Sequence, residues 1–272
     1  MCFDLDSRPP IPPLAGAAVD GQRTTLRAAD GTRVLAFDAR AGEATEAGGS
    51  TGAGVVILPD VRGLHRFYEE LALRFAERGI DALAIDYFGR TATSDDRGEG
   101  FEFMPHVDQT RYQNVMMDVE AGVDQLRNRG VRSVFTVGFC FGGRLTFLTG
   151  AQPDVDLAGV IGFYGGPTGP GRAGTPAPID LAKAGQFRAP VLGLFGGADQ
   201  GIAESAINEF GVALTNAGVE NELVIFPGAP HSFFDRKAAD YADASAEAWA
   251  KVMAFIERLT STQSPNAAAS SR

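Results

Sequence analysis

The chain has 272 residues, of which 44% are hydrophobic and 21% charged, and these fractions are ordinary for a globular protein. Its formal net charge of −10 argues against nucleic acid or an anionic membrane as a partner, because both attract basic surfaces. The two cysteines, Cys2 and Cys140, are too few for a disulfide framework or a cysteine-rich metal site.

Nothing in the sequence resembles a membrane segment or a secretory leader. No apolar run reaches the roughly 18 to 20 residues of a membrane-spanning helix. The first six residues lack the basic and apolar regions of a signal peptide. We therefore expect a cytoplasmic protein without a membrane partner, in which Cys2 is an exposed thiol of no particular function.

The N-terminal part of the chain is predicted to contain an extended arm, a β-hairpin and a loop, in that order. Four prolines lie between residues 9 and 13, and since proline lacks an amide donor, residues 1–20 are predicted to form an extended arm. The dipeptide Asp30-Gly31 separates residues 24–27 from 33–37, which is typical of a β-hairpin. Residues 41–53 are rich in glycine, serine and threonine and are predicted to be a loop.

From Gly54 onward, short apolar runs alternate with segments whose apolar residues recur at helical spacing. Strands are predicted at 55–58, 82–85, 131–137, 160–164, 191–195 and 223–226. Helices are predicted around 67–79, 113–129, 202–217 and 240–259, and a further one after residue 144. This alternation indicates an α/β fold, a mainly parallel sheet with helices on both faces, to which the hairpin adds antiparallel strands at one edge.

The α/β pattern predicts one domain, residues 21–260, followed by a disordered tail, 261–272. Two stretches inside the domain, 90–110 and 165–190, show no regular pattern and follow the carboxyl ends of predicted strands. Ligands bind at that edge in open α/β sheets. These two stretches are therefore expected to border a site.

The stretch Gly138-Phe139-Cys140-Phe141-Gly142 joins a predicted strand to a predicted helix. Gly-x-Cys-x-Gly has the form of the sharp turn that presents the nucleophile in α/β-hydrolases, with a thiol where serine is commoner. The flanking glycines allow the backbone to approach closely without a Cβ clash. A buried cysteine at the end of a core strand explains this stretch alone equally well.

Two residues after later strands favour the catalytic interpretation of Cys140. Asp199 follows strand 191–195, and His231 lies in a Gly/Pro loop after strand 223–226. Nucleophile, acid and histidine thus occur in the chain order of an α/β-hydrolase triad. Cys140 would attack a carbonyl as thiolate, His231 would exchange the proton, and Asp199 would orient the imidazole. The alternatives are a helix-capping role for Asp199 and a surface position for His231.

Over about residues 20–258 the chain resembles the dienelactone hydrolases, relatives of carboxymethylenebutenolidase. The resemblance rests on Gly138-Phe-Cys140-Phe-Gly142-Gly143, Asp199, His231-Ser232-Phe233 and Asp86-Tyr87-Phe88-Gly89-Arg90. It implies the α/β-hydrolase fold and a hydrolase of a carboxylic ester or lactone that works through an acyl-enzyme on Cys140. It also implies a small-molecule substrate and neither cofactor nor metal.

The resemblance also implies roles for residues around the triad. Backbone N–H groups of Phe141 and Val61 would stabilise the oxyanion. Active members carry a glutamate at the position of Asp60, where it serves in activating the cysteine; aspartate keeps the charge but is one methylene shorter. The alternative for Asp60 is a capping role at the end of the loop.

Substrate binding is the part of the resemblance in which this chain departs most. Of the two arginines that hold a substrate carboxylate in the family, one corresponds to Arg90, whereas the other falls on Asp235. An acid at that position would repel a carboxylate, and Arg236 or Arg62 would have to substitute. The aromatic residues Phe88, Phe141, Tyr164 and Phe233 form either an apolar acyl pocket or ordinary core.

A second hypothesis follows from the short side chain of Asp60. A thiol without its activator would react poorly, and the chain would then be a catalytically silent α/β-hydrolase domain that binds a small ligand or a protein. A redox-sensing thiol is a weaker hypothesis, because no second cysteine lies near Cys140 in sequence. The natural substrate and the oligomeric state stay open at this stage.

Overall fold

The computed structural model describes residues 6–17, 19–42 and 50–262 of the chain. One eight-stranded sheet has the strand order β1-β2-β4-β3-β5-β6-β7-β8. Its strands are β1 (Val19–Arg27), β2 (Arg33–Ala41), β3 (Ala53–Leu58), β4 (Asp81–Asp86), β5 (Ser133–Phe139), β6 (Gly159–Phe163), β7 (Val191–Gly196) and β8 (Asn221–Phe226). The helices are α1 (Arg66–Ala76), α2 (Met104–Gln109), α3 (Tyr112–Asn128), α4 (Phe141–Thr149), α5 (Pro178–Lys183), α6 (Glu204–Asn216) and α7 (Ala242–Thr262).

The predicted hairpin forms the edge of this sheet. β1 and β2 pair antiparallel, with Arg27 opposite Arg33, and the Thr32 N–H donates to Asp30 Oδ1 at 3.0 Å within the turn. β2 also runs antiparallel to β4, while the pairs from β4 through β3 to β8 are parallel. The predicted α/β class with an N-terminal antiparallel hairpin is confirmed.

The parallel strands form the centre of the core. Every residue of β3, β5, β6 and β7 is buried. Since successive side chains of a strand point to opposite faces, complete burial means that both faces of these strands are covered. The continuous apolar runs in the sequence have this origin, because a strand covered on both faces has no polar side to alternate with.

Two short helices lie in the stretches for which the sequence shows no regular pattern. α2 occupies residues 104–109 and α5 residues 178–183, and each has a proline at its first or second position. Six residues are too few for an apolar periodicity to show, so the sequence indicates loops there. In the part of the chain that the structure describes, no helix has the length and apolar character needed to cross a bilayer.

The proline-rich segment packs against α1. Residues 6–17 contain no helix or strand, in keeping with an extended arm, and Ile11 is only 5% exposed. The Leu14 N–H donates to Glu77 Oε2 at 3.0 Å, and Arg8 lies 3.3 Å from Glu70. The start of the arm with Cys2, most of the predicted loop 41–53, and residues 263–272 of the predicted tail lie outside the described residues, whereas 261–262 belong to α7.

Burial of Ile11 predicts that the arm contributes to stability. Ile11→Ala removes buried methyl groups and should lower the free energy of unfolding by about 2 kcal/mol, measured by urea denaturation. Leu14→Ala is the matched control, because this side chain is 36% exposed and the hydrogen bond to Glu77 uses its backbone. Equal effects of the two substitutions would contradict a packed arm.

Candidate active site

Cys140 lies at the sharp turn between β5 and α4. Its backbone dihedrals are φ 54° and ψ −111°, a strained conformation for a residue with a side chain. The Cys140 N–H donates to Phe163 O at 3.0 Å, and the Cys140 carbonyl accepts the Arg144 N–H at 3.1 Å. The half-buried thiol is therefore held at the N-terminus of α4, where the helix dipole favours the thiolate.

Close contact between backbone segments keeps this turn in place. A Cβ atom on Gly142 would lie 2.2 Å from the carbonyl oxygens of both Leu58 and Pro59. A Cβ on Gly138 would lie 2.2 Å from Gly142 O. Only glycine fits at these positions, so the first turn of α4 packs directly on the end of β3.

Asp199 and His231 form a hydrogen-bonded pair at the edge of the sheet where the parallel strands end, which is also the edge at which Cys140 lies. Asp199 follows β7, His231 follows β8, and Asp199 Oδ2 lies 2.6 Å from His231 Nδ1. The other carboxylate oxygen, Oδ1, accepts the Gly201 N–H at 2.8 Å. Because Nδ1 is occupied by the carboxylate, proton exchange with a thiol or a substrate falls to Nε2.

The electrostatics of the pair favour an anionic Asp199. Burial by itself would raise the pKa of the Asp199 carboxyl. The hydrogen bond with His231, the attraction to its protonated form and the N–H groups of Gly201 and Ile202 outweigh burial, and the pKa lies below its usual value. The helix-capping alternative does not fit the structure, because α6 begins at Glu204 and Ala203 precedes it.

The loop after β3 is a tight turn organised by the side chain of Asp60. Its Oδ1 accepts the Arg62 N–H at 2.9 Å, and the Gly63 N–H donates to the Asp60 carbonyl at 3.1 Å. The Asp60 N–H donates to the Tyr68 hydroxyl at 2.9 Å. This turn carries Val61 and lies beside the first turn of α4, which starts with Phe141.

Two tyrosines fix the loop after β3 by hydrogen bonds to its backbone, a role that the sequence did not indicate for them. Tyr68 accepts the Asp60 N–H, and the Tyr87 hydroxyl donates between the carbonyl oxygens of Pro59, at 2.5 Å, and Asp60, at 2.7 Å. Tyr87 belongs to the segment Asp86 to Arg90, which contributes to the family resemblance. The sequence did not indicate which atoms its hydroxyl bonds to.

Arg144 is a further residue that the sequence did not identify. Its guanidinium donates to the carbonyl oxygens of Gly166, Thr168, Gly169 and Pro176 at 2.8 to 3.0 Å. Burial lowers the pKa of Arg144. The residue thereby fixes the segment after β6 against the turn that carries Cys140, and backbone acceptors of this kind leave no trace in a sequence pattern.

Three of the four aromatic residues predicted to form an acyl pocket or core, Phe88, Tyr164 and Phe233, are buried. Phe233 has no exposed surface and its ring lies 5.0 Å from that of Phe226, which matches the core alternative. Tyr164 is 1% exposed, and its ring lies 4.9 Å from the imidazole of His231. Its hydroxyl donates to Asp235 Oδ2 at 2.7 Å.

The arrangement around Asp235 changes the expectation for this position. The residue is 5% exposed, and its carboxylate bonds to Tyr164 inside the protein. The Asp235 carboxylate is therefore bonded to a side chain inside the protein and is not presented to a substrate at the surface. Arg236, the next residue, is exposed.

The environment of Arg90 does not match the prediction that it binds a substrate carboxylate. Its guanidinium bonds to Asp118 through Nε at 3.0 Å and Nη2 at 2.7 Å, and to Asp30 through Nη1 at 2.6 Å. Burial raises the pKa of Asp118 to about 6 despite the opposing effect of Arg90. Two carboxylates of the protein already occupy Arg90, so it joins the hairpin turn to α3 instead.

An open groove runs along the Asp199–His231 pair. It has a volume of about 500 Å³ and is lined by Ala198, Asp199, Gln200, Gly201, Pro230, His231, Arg236 and Lys237. A larger groove of about 770 Å³ between α5 and α6 is lined by neither cysteine nor histidine. Within residues 6–17, 19–42 and 50–262, no cluster of three or more His, Cys, Asp or Glu side chains is arranged to hold a metal ion.

Comparison with known proteins is consistent with this geometry. Residues 37–260 match the model of the Dienelactone hydrolase family. A "Putative carboxymethylenebutenolidase" of Methylorubrum extorquens is 30% identical over 210 residues, 75% of this chain and 71% of that protein. The protein of the same name in Escherichia coli K12 is 27% identical over 209 residues, 75% of this chain and 76% of the other.

Solved structures show the same fold. A "Putative Dienelactone Hydrolase" from Klebsiella pneumoniae superposes with a TM-score of 0.74 at 25% identity, over 88% of this chain and 98% of that one. A dienelactone hydrolase-like promiscuous phosphotriesterase from metagenomic libraries superposes with a TM-score of 0.71 at 21% identity, over 90% and 99%. The second likeness concerns the fold alone.

The packing of α4 on β3 predicts that Gly142 tolerates no side chain. Gly142→Ala places a methyl group against two backbone carbonyls and should lower the melting temperature by roughly 10 °C in calorimetry. Gly100→Ala is the control, since nothing lies within 4 Å of a Cβ at that position. A Gly142→Ala variant as stable as the control would show that the turn can relax.

Proposed function

The chain belongs to the dienelactone hydrolase family, a family of hydrolases, and from this premise we propose that it cleaves a carboxylic ester or lactone through an acyl-enzyme on Cys140. The observation that carries the proposal is the 2.6 Å bond between Asp199 and His231 at the sheet edge where Cys140 occupies its strained turn. Nucleophile, acid and base thus follow three parallel strands, β5, β7 and β8, of which β7 and β8 are neighbours and β6 lies between β5 and β7.

In the first half-reaction His231 Nε2 takes the proton of the Cys140 thiol, and Asp199 stabilises the resulting imidazolium. The thiolate sulfur attacks the carbonyl carbon, a C–S bond forms, and the carbonyl π electrons move to oxygen. The backbone N–H groups of Phe141 and Val61 donate to this oxyanion. When the carbonyl re-forms, the C–O bond to the leaving group breaks, and the leaving oxygen takes the proton from His231.

In the second half-reaction water attacks the thioester carbon while His231 takes a proton from it. The C–S bond then breaks, the carboxylic acid leaves, and the sulfur recovers its proton from the imidazolium. The overall reaction consumes one water for each ester bond and needs no cofactor. In both half-reactions Cys140 carries the acyl group, His231 carries the proton, and Asp199 stabilises the imidazolium.

Substrate binding is assigned to the groove beside the histidine. Arg236 and Lys237 line it together with Asp199 and His231, so an anionic group of the substrate would meet two cations there. Arg90 is left out of this assignment because Asp118 and Asp30 occupy its guanidinium. Half-buried Phe141 remains as an aromatic neighbour for the acyl group.

Loss of the thiol should abolish turnover. We expect Cys140→Ala to lower kcat/KM for a short activated ester and for a lactone by at least about 10³-fold, measured spectrophotometrically. Cys2→Ala, which removes the other cysteine, should leave kcat/KM unchanged. Turnover that survives in Cys140→Ala would contradict the proposal, and a wild-type protein that binds esters without hydrolysing them would indicate the silent binding domain.

Asp60 can be tested separately as a charge and as a turn-former. Asp60→Asn keeps the Oδ1 acceptor for the Arg62 N–H, so kcat/KM should stay within about tenfold of wild type. Asp60→Ala removes that acceptor, loosens the turn that carries Val61, and should cost about 10²-fold. If both variants lose activity equally, the negative charge of Asp60 takes part in activating Cys140.

A further inference from the structure

Tyr164 has an unusual backbone for a buried aromatic residue. It follows β6 directly and has φ 37°, in the left-handed region that residues with a side chain rarely adopt. Its N–H donates to Leu194 O at 2.8 Å, which keeps this conformation attached to the neighbouring strand β7. Strained residues of this kind persist only where the surrounding structure fixes them, and they cluster at functional sites.

The side chain of Tyr164 lies between a carboxylate and the histidine. Its ring centroid lies 4.9 Å from that of His231, and the two planes meet at 54°. At the other end its hydroxyl donates to Asp235 Oδ2 at 2.7 Å. The second oxygen of Asp235 accepts the Arg236 N–H. Both carboxylate oxygens thus accept hydrogen bonds, which stabilise the charged form of a carboxylate against the effect of burial.

We propose that Tyr164 is a positioning residue through which the buried carboxylate of Asp235 stabilises the protonated form of His231. The face of an aromatic ring is electron-rich and attracts a cation within about 6 Å of its centroid. A phenol that donates to a carboxylate becomes richer in electrons, which strengthens this attraction. His231 thus has a carboxylate at Nδ1, from Asp199, and a polarised ring beside it, from Tyr164.

Other groups near His231 act on it as well. Asp199 follows β7, Cys140 follows β5, and Arg236 and Lys237 lie in the histidine's own turn; Tyr68 of α1 interacts with Tyr164, and Asp60 after β3 bonds to Tyr68. Burial, followed by the charge of Asp235, raises the pKa of Tyr164. The Tyr164 hydroxyl therefore stays protonated and continues to donate to Asp235 around neutral pH, where an unperturbed imidazole titrates.

This role of Tyr164 rests on the proposed function, in which His231 is the catalytic base. It can nevertheless be tested without measuring turnover. The chain has three histidines, so the imidazole signals can be followed by NMR in the full-length Cys140→Ala protein. Burial lowers the pKa of His65 to about 3, and burial also lowers that of His106, so both serve as internal references. His231→Asn identifies the remaining signal.

Tyr164→Phe keeps the ring and removes only the hydroxyl. We expect it to lower the pKa of His231 by about half a pH unit, because the ring is no longer polarised by Asp235. Asp235→Asn should lower the pKa of His231 by at least as much. The double variant should show no more than the larger single effect, since both substitutions interrupt one path.

Tyr112→Phe is the matched control, because that tyrosine bonds to Gln152 instead, and it should leave the pKa of His231 unchanged. Thermal unfolding of each variant establishes that it is folded at the temperature of the titration. A pKa of His231 that is unchanged or raised in folded Tyr164→Phe would overturn the proposal, since a direct effect of the Asp235 charge needs no hydroxyl.

Failure of the proposed function would be visible elsewhere. The pH dependence of iodoacetamide labelling of Cys140 in the wild-type protein reports on the nucleophile, and an ordinary thiol titrates near ~8.5. An ordinary profile at Cys140 would favour the catalytically silent domain, whereas the NMR titration of His231 decides the role of Tyr164 by itself.

Discussion

The structure depends on the close packing of backbone against backbone where α4 begins. Cys140 adopts positive φ, and the helix that follows it rests on the carbonyl oxygens at the end of β3 with no room for a Cβ at Gly142. This contact sets the distance between the turn that carries the thiol and the loop that carries Val61. An oxyanion site built from the backbone of both segments is possible only because glycine permits that approach.

The remaining parts of the site are brought to this turn by the parallel sheet. Strands that run in one direction end at one edge, so residues far apart in sequence meet there without long connecting loops. Asp199 and His231 reach each other from the ends of β7 and β8, whereas Tyr164 comes from the end of β6 between them and Cys140. The histidine is thus approached by side chains from several strands at once.

Internal partners decide which charges are available to a substrate. Arg90 is occupied by Asp118 and Asp30, and Asp235 by Tyr164, although the sequence presents them as the two residues that would attract or repel a carboxylate. An arginine that already bonds to two carboxylates has little capacity to bind a third. Arg236, by contrast, is exposed at the edge of the groove, where its positive charge is accessible to a substrate. The protein as a whole carries a net charge of −10.

By itself the sequence determined the alternation of strands and helices, the hairpin at Asp30 and the order of Cys140, Asp199 and His231, because periodicity, turn chemistry and chain order are local or one-dimensional properties. Only the tertiary structure decided that Asp235 bonds to Tyr164, 71 positions away, and that Arg90 is neutralised within the protein. Pairing at such separations depends on how the elements pack, and a pattern of residue types contains many possible partners for each charge.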